Sequence, residues 1–211
     1  MSCGLTLNLD VCKGKSFSKV ISWGVAPVVI RPIAGITKGW PTLLDAPSHG
    51  LTSDWPFAIV NVEGMTQINA RGLPPAAEEY ISGRVVDADT VEVLSIDSTK
   101  FSSYTSGGQL TYASRPSLAG VTAELQVRKK AGSPLLLRLT SDPDGGIYLD
   151  DSTGLVTIYI TPEQTAGLSF KVAEYEMEVR TPPSAYAPAG DCYTLIKGIF
   201  VAGYEIVTPA I

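Results

Sequence analysis

The chain's one histidine, His49, stands in the run "DAPSHGLTSDWPFAIVNVEGMTQIN" (residues 45–69), beside Ser48 and close to Asp45 and Asp54. Serine, imidazole and carboxylate are the groups of a nucleophilic hydrolase, in which the imidazole takes the hydroxyl proton and the carboxylate orients the ring. Sequence neighbours on one turn do not converge on a single substrate atom, however, and no G-x-S-x-G elbow presents a serine. His49 and Gly50 therefore read as a turn, with Leu51 anchoring it in a core. The imidazole would donate a hydrogen bond to a backbone carbonyl across the loop. No catalytic residue is assigned.

Other polar groups were weighed for chemistry in the same way. Asp142, Asp144, Asp150 and Asp151 could offer oxygen ligands to calcium. "DPDGG" lacks the bidentate glutamate of an EF-hand loop, and the two acidic turns flank one short strand. At ~3.3 Å per residue they stand roughly 10–15 Å apart, too far for one ion. Glycoside hydrolysis needs two carboxylates across a cleft. Glu174, Glu176 and Glu178 instead share one strand face, as a solvated surface or an electrostatic patch for a basic partner. No metal and no cofactor is expected. The loop aromatics Trp40, Trp55 and Tyr104 are the better candidates, because such rings anchor interfaces or stack on sugars. The alternative is that they plug the end of a barrel. Tyr186, at the centre of the long loop "PPSAYAPAG", reads as part of a docking arm.

The elements that must position these groups are strands. The chain has 211 residues, 45% hydrophobic and only 18% charged, with 20 glycines and 15 prolines. That is the composition of a turn-rich all-β protein with a real core. Alternation is explicit: Val121, Ala123, Leu125 and Val127 face one way, as do Tyr175, Met177 and Val179, and Val156, Ile158 and Ile160. Further strands are expected over 5–11, 16–23, 27–30, 57–62, 80–86, 91–96, 109–112 and 147–149, with a closing strand from Tyr193 to Thr208. The one helical turn is "TPEQTAGL", with Thr161 as N-cap, Pro162 at the first position and Gln164 completing a capping box.

Strand lengths shorten between Ile36 and Tyr112 and lengthen again after "SRPSLAG". This predicts a small β domain (34–113) inserted into a larger one built from 1–33 and 114–211, with Pro32 and Pro116 at the seams. A net charge of −5 argues against a nucleic-acid partner; the basic run Arg128–Lys130 reads as a solvated strand end. Three cysteines without CxxC spacing (Cys3, Cys12 and Cys192) fit a chain made in a reducing cytoplasm. A Cys3–Cys12 or Cys12–Cys192 bridge is the alternative. Neither a signal peptide nor a membrane-spanning apolar run is visible.

The middle segment resembles the small β-barrel repeats of bacteriophage tail proteins, which are related in pattern to a domain of ubiquitin-activating enzymes. The residues that carry this are Ile36-Thr37, Pro41-Thr42, His49-Gly50-Leu51, Val60, Val62, Gly64-Met65 and Ile68-Asn69. The chain departs from that pattern at "TSDWP", where a Gly-Asp turn is more usual. The outer segments are similar to immunoglobulin-like domains of phage baseplate and tail proteins. The match runs through Leu118, Gly120, Ala123, Gln126, Val127 and Arg128, then Gly154 to Thr165, then the closing strands.

The resemblance implies an Ig-like β-sandwich carrying an inserted small β-barrel, defined structurally by His49, Gly50, Leu51, Gly64, Met65 and Asn69. It implies a non-enzymatic, homo-oligomeric structural component of a phage tail, baseplate or tail-fibre adaptor, made in the bacterial host cytoplasm and located in the virion. Its expected partners are other tail or baseplate proteins, copies of itself and a tail fibre. The alternatives are a receptor- or carbohydrate-binding module of the virion and a tail-associated hydrolase.

Overall fold

The computed structural model describes residues 5–203, which form an all-β fold of short and long strands with one helical turn. Cys3 and the expected strand residues 204–208 lie outside the described part. By contacts the chain divides into two units. The outer comprises Met1–Ile21, Ser117–Asp151 and Leu155–Ile211; the inner comprises Ser22–Pro116 and Ser152–Gly154.

The outer unit opens with β1 (Leu5–Thr6), β2 (Leu9–Cys12) and β3 (Phe17–Ser22). The chain then builds the inner unit: β4 (Val25–Pro32), β5 (Gly35–Thr37), β6 (Thr42–Asp45), β7 (Ala58–Glu63), β8 (Arg84–Val85), β9 (Thr90–Val93) and β10 (Ser106–Ser114). These form a three-stranded sheet in the order β4-β10-β7 and a four-stranded sheet in the order β5-β6-β9-β8. Trp55, Phe57, Leu44, Met65, Val91 and Leu110 fill the core of this unit at 1% exposure or less.

The division differs from the sequence reading, which counts residues up to 33 with the outer part. β4 pairs along its length with β10, from Gln109 opposite Pro32 to Ala113 opposite Val28, so it belongs to the inner sheet. The expected strand over 80–86 is largely irregular: a 3₁₀ turn at Ala77–Glu79 precedes it, Ile81 makes a single bridge to Phe57, and only Arg84–Val85 is strand.

Back in the outer unit follow β11 (Thr122–Arg128), β12 (Leu135–Thr140), β13 (Ile147–Asp150), β14 (Leu155–Ile160), α1 (Pro162–Ala166), β15 (Val172–Arg180) and β16 (Cys192–Gly203). β15 alternates exposed and buried at every position, and β14 buries Val156, Ile158 and Ile160 completely. The large sheet runs β1-β16-β15-β11-β12, with β2 also on β16, and the small sheet runs β13-β14-β3. Each sheet turns one apolar face inward, and the shared core is that of a β-sandwich.

The helical turn has the predicted caps. Thr161 Oγ1 accepts from Gln164 N–H at 3.2 Å, and Gln164 Oε1 accepts from Thr161 N–H at 2.9 Å. Thr165, fully buried on this turn, accepts from Gly14 N–H at 3.0 Å and donates to Lys15 carbonyl at 2.8 Å, fixing the turn by which the chain passes from β2 to β3.

The first described strands add in parallel to the last: Leu5 and Thr6 lie opposite Ile196 and Lys197, and Leu9 to Cys12 opposite Phe200 to Gly203. Between the two stretches Leu7 N–H bonds Lys197 carbonyl at 2.9 Å, Tyr175 hydroxyl donates to Leu7 carbonyl at 2.6 Å, and Asn8 Oδ1 accepts from Ile199 N–H at 3.1 Å. Burial pushes the Tyr175 phenol up to about 12, so it remains a donor at any physiological pH. A Cβ at Gly198 would stand 2.1 Å from the Leu7 carbonyl oxygen, so only glycine admits this crossing. We expect Gly198→Ala to destabilise the protein by about 1–3 kcal/mol, seen as a lower urea midpoint at unchanged slope. An unchanged midpoint would refute the close approach.

Candidate functional site

In the inner unit the chain leaves β6 and turns at Ser48, which takes a left-handed conformation with its N–H on Asp89 Oδ1 at 2.7 Å. The next residue, His49, is 1% exposed. Its Nδ1 accepts from Leu51 N–H at 2.9 Å, so Nε2 carries the proton and donates to Asp87 carbonyl at 3.0 Å. Tyr112 hydroxyl donates to the His49 carbonyl. With both ring nitrogens held by backbone, the imidazole has none left to take a proton from Ser48. It acts as a brace between the 46–51 loop and the 87–89 turn. Gly50 at φ +67° completes that turn, and Leu51 is buried beneath it.

A second brace follows β7. Asn69 Oδ1 accepts from Val62 N–H at 2.8 Å while its Nδ2 donates to Val62 carbonyl at 2.9 Å. One side-chain amide thus does for Val62 what a neighbouring strand would do. Gly64 at φ +79° lets the chain double back, and any Cβ there would meet Ser103 carbonyl oxygen at 2.3 Å. Met65 points into the core at 0% exposure. The loop that departs from the barrel-repeat pattern is a tight turn from Thr52 to Trp55, whose N–H bonds Thr52 carbonyl at 3.1 Å. Asp54 sits at φ +66° where glycine would be unstrained.

The aromatic candidates separate. Trp55 is 1% exposed; its Nε1 donates to Ala113 carbonyl at 3.0 Å, and Arg115 lies over the ring at 6.0 Å. It is a core residue and is withdrawn as an interface residue, because hydrophobic burial and a satisfied indole N–H outweigh display. Tyr104 is half-buried and its hydroxyl donates within its own loop, to Gly107 carbonyl at 3.0 Å. Trp40 is 67% exposed, held by Nε1 on Leu94 carbonyl at 3.1 Å. Tyr186 is fully exposed. It tips the β15–β16 connection, closed at its base by Thr181 N–H on Asp191 carbonyl and internally by Ser184 N–H on Ala187 carbonyl, both at 2.9 Å.

The outer face of the large sheet is an ordered polar surface. Register brings Glu174 opposite Arg128, Glu176 opposite Gln126 and Glu178 opposite Glu124. On the other side Glu176 faces Lys197 and Glu178 faces Thr194. Glu124 is clamped by Arg138, Nε to Oε1 and Nη2 to Oε2, both at 2.9 Å. Gln126 Nε2 donates to the same carboxylate at 2.6 Å, and Gln126 Oε1 accepts from Arg128 Nη2 at 2.8 Å. These bonds, Arg138 first, hold the Glu124 carboxyl at about 2.

The face is therefore a ladder of both signs, where the sequence reading left the three glutamates as a solvated surface or an electrostatic patch for a basic partner. A groove of about 580 Å³ runs across it, lined by Arg128, Glu174, Glu176, Lys197 and Ile199 among others. A smaller hollow of about 260 Å³ lies by Glu178, Arg180 and Cys192. Cys192 is an exposed free thiol, unbridged to Cys12, whose Sγ donates to Glu178 Oε2 at 3.4 Å.

Asp142, Asp144, Asp150 and Asp151 do not assemble a ligand set; among the described residues no three His, Cys, Asp or Glu converge on one point. Asp151 instead caps a turn, accepting from Ser117 hydroxyl at 3.0 Å and Leu118 N–H at 2.5 Å. No helix among the described residues is long and apolar enough to cross a membrane. No family model matches the chain, and no curated protein matches it.

Two outcomes follow from these contacts. Removing the imidazole strands the buried Leu51 N–H, so His49→Ala should lower unfolding free energy by about 1–3 kcal/mol in urea titration; no loss would refute the brace. Glu124 binds fewer protons folded than unfolded, so its stabilisation is complete above about pH 4.5 and lost as pH falls toward about 2. Both side chains are partly exposed, which limits the effect to about 1 kcal/mol or less. The stability–pH profile of Glu124→Gln should be shallower than that of the parent in that window, and parallel profiles would refute the assignment.

Proposed function

We propose that this is a non-enzymatic structural component of a bacteriophage tail, baseplate or tail-fibre attachment assembly, working through protein–protein packing. The observation that carries the packing half of this reading is the outer face of the large sheet. It is grooved, ordered by side-chain hydrogen bonds between strands, and carries both signs of charge in a fixed ladder. Such a surface suits register-specific docking, since complementary charges set orientation and exclude wrong partners. The phage half rests on the resemblance of the segments around His49-Gly50-Leu51 and Gly64 to Asn69, and of the outer segments, to tail and baseplate modules. In that reading the outer unit is an Ig-like docking domain and the inner unit an inserted barrel.

The braces at His49 and Asn69 support the structural reading, because each uses its polar groups on its own backbone. The sugar-binding alternative needs a stacking platform of Trp40, Trp55 and Tyr104, and with Trp55 in the core it retains the exposed Trp40 and the half-buried Tyr104. Function by packing would be multivalent, each modest interface multiplied by copy number.

Reversing the ladder tests this. The triple variant Glu174→Lys, Glu176→Lys, Glu178→Lys alters only exposed positions, so it should stay folded by circular dichroism. In a complementation assay it should fail to enter purified phage particles that take up the parent chain. Incorporation of the variant at the parental level, or absence of the parent chain from particles, would overturn the proposal.

A further inference from the structure

The strand β4 breaks the rule that edge strands are short, charged or covered. It is an eight-residue strand, "VAPVVIRP", bonded on one side to β10 and ending its sheet on the other. None of its residues is buried, and Val28 and Ile30 are 58% and 55% exposed. Its single charge is Arg31.

The open edge has a defined set of backbone groups. Ile33 N–H bonds Gly108 carbonyl at 2.9 Å, so Arg31 and Val29, of the same parity, turn their N–H and C=O toward β10. Val28 and Ile30 turn theirs outward. Beyond Val28 the register slips, with Ser114 opposite Val25, so Ala26 and Pro27 leave the ladder. At the other end Pro32 has no N–H to offer. The open edge therefore offers both groups of Val28 and Ile30, and at Pro32 a carbonyl alone.

We infer that β4 is the site at which a second copy of this chain adds, antiparallel, about a two-fold axis through Val29. That axis sets Val28 opposite Ile30 of the other copy and Ile30 opposite its Val28. Both are outward-facing residues, so both pairs are hydrogen-bonded pairs and both N–H and both C=O groups of Val28 and Ile30 are used on each strand. An axis through Ile30 would set Pro32 opposite Val28 and leave the Val28 carbonyl without a donor, since proline has no N–H. An axis through Val28 would run into the bulge. The same register stacks each exposed valine against an exposed isoleucine and sets Arg31 opposite Pro27, so no like charges meet. A two-fold contact closes on itself, which fits an edge that must not polymerise. The inference is independent of the assembly proposed above, because it predicts a dimer of the isolated chain.

Sedimentation of the full chain over a range of concentrations should show a monomer–dimer equilibrium. Ile30→Lys, at an exposed position, and Ile30→Pro, which deletes an outward donor that bonds nothing among the described residues, should each stay folded by circular dichroism and remain monomeric. Residues on the axis form a narrow, non-hydrogen-bonded pair with Cα atoms about 4.5 Å apart, within disulfide reach. Val29→Cys should therefore oxidise to a dimer whose linked peptide joins the two copies at position 29. A parent chain that stays monomeric throughout, a dimer that survives both Ile30 variants, or a Val29→Cys dimer not linked through position 29 would each overturn the inference.

Discussion

The outer unit hangs on one crossing, where the first described strands lie in parallel against the last. Its strands come from both ends of the chain, and nothing local brings β1 and β2 to β16. Three bonds around Leu7 and Asn8 and the missing side chain at Gly198 make the approach close enough to count as a ladder. Closing so long a loop carries an entropic cost that is recovered only when the sheet is complete. The inner unit, by contrast, is nearly continuous in sequence. By contact order we expect the inner unit to fold before the outer.

Once that sheet is closed, alternation fixes two surfaces at once. The buried set of β15, from Ala173 to Val179, supplies core, and the intervening glutamates are left pointing outward. What those glutamates become is decided by their neighbours across the ladder. Arg128 and Lys197 face two of them, and Arg138 commits itself to Glu124. A chain with few charges thus gathers a large share of them on one face, in fixed order.

Much of this was legible in the sequence, for physical reasons. Period-2 burial announced β11, β14 and β15, and Thr161, Pro162 and Gln164 announced the helical turn because capping is chemistry local to four residues. The role of His49 was legible because a lone histidine in a glycine turn satisfies itself on backbone. Trp55 was not: a tryptophan beside proline in a loop looks displayed, and only the approach of Ala113 and Arg115, distant in sequence, encloses it. β12 was invisible because "LLLRLT" has no alternation; as an edge strand it exposes Leu135 and Leu136 despite their apolarity. The mixed sign of the sheet face depends on register between strands, which no single strand encodes. The seam misplaced at residue 33 has the same origin, since β4 declares its sheet only through its partner β10.

The amide of Asn69 has a further consequence, in chemical time. Its two ends are read separately by Val62, oxygen toward N–H and nitrogen toward C=O. Hydrolysis of that amide to a carboxylate would turn an oxygen toward an oxygen, with a charge added and the donor gone. The inner unit therefore carries a residue whose ageing is an irreversible loss of a strand's worth of bonding at one point.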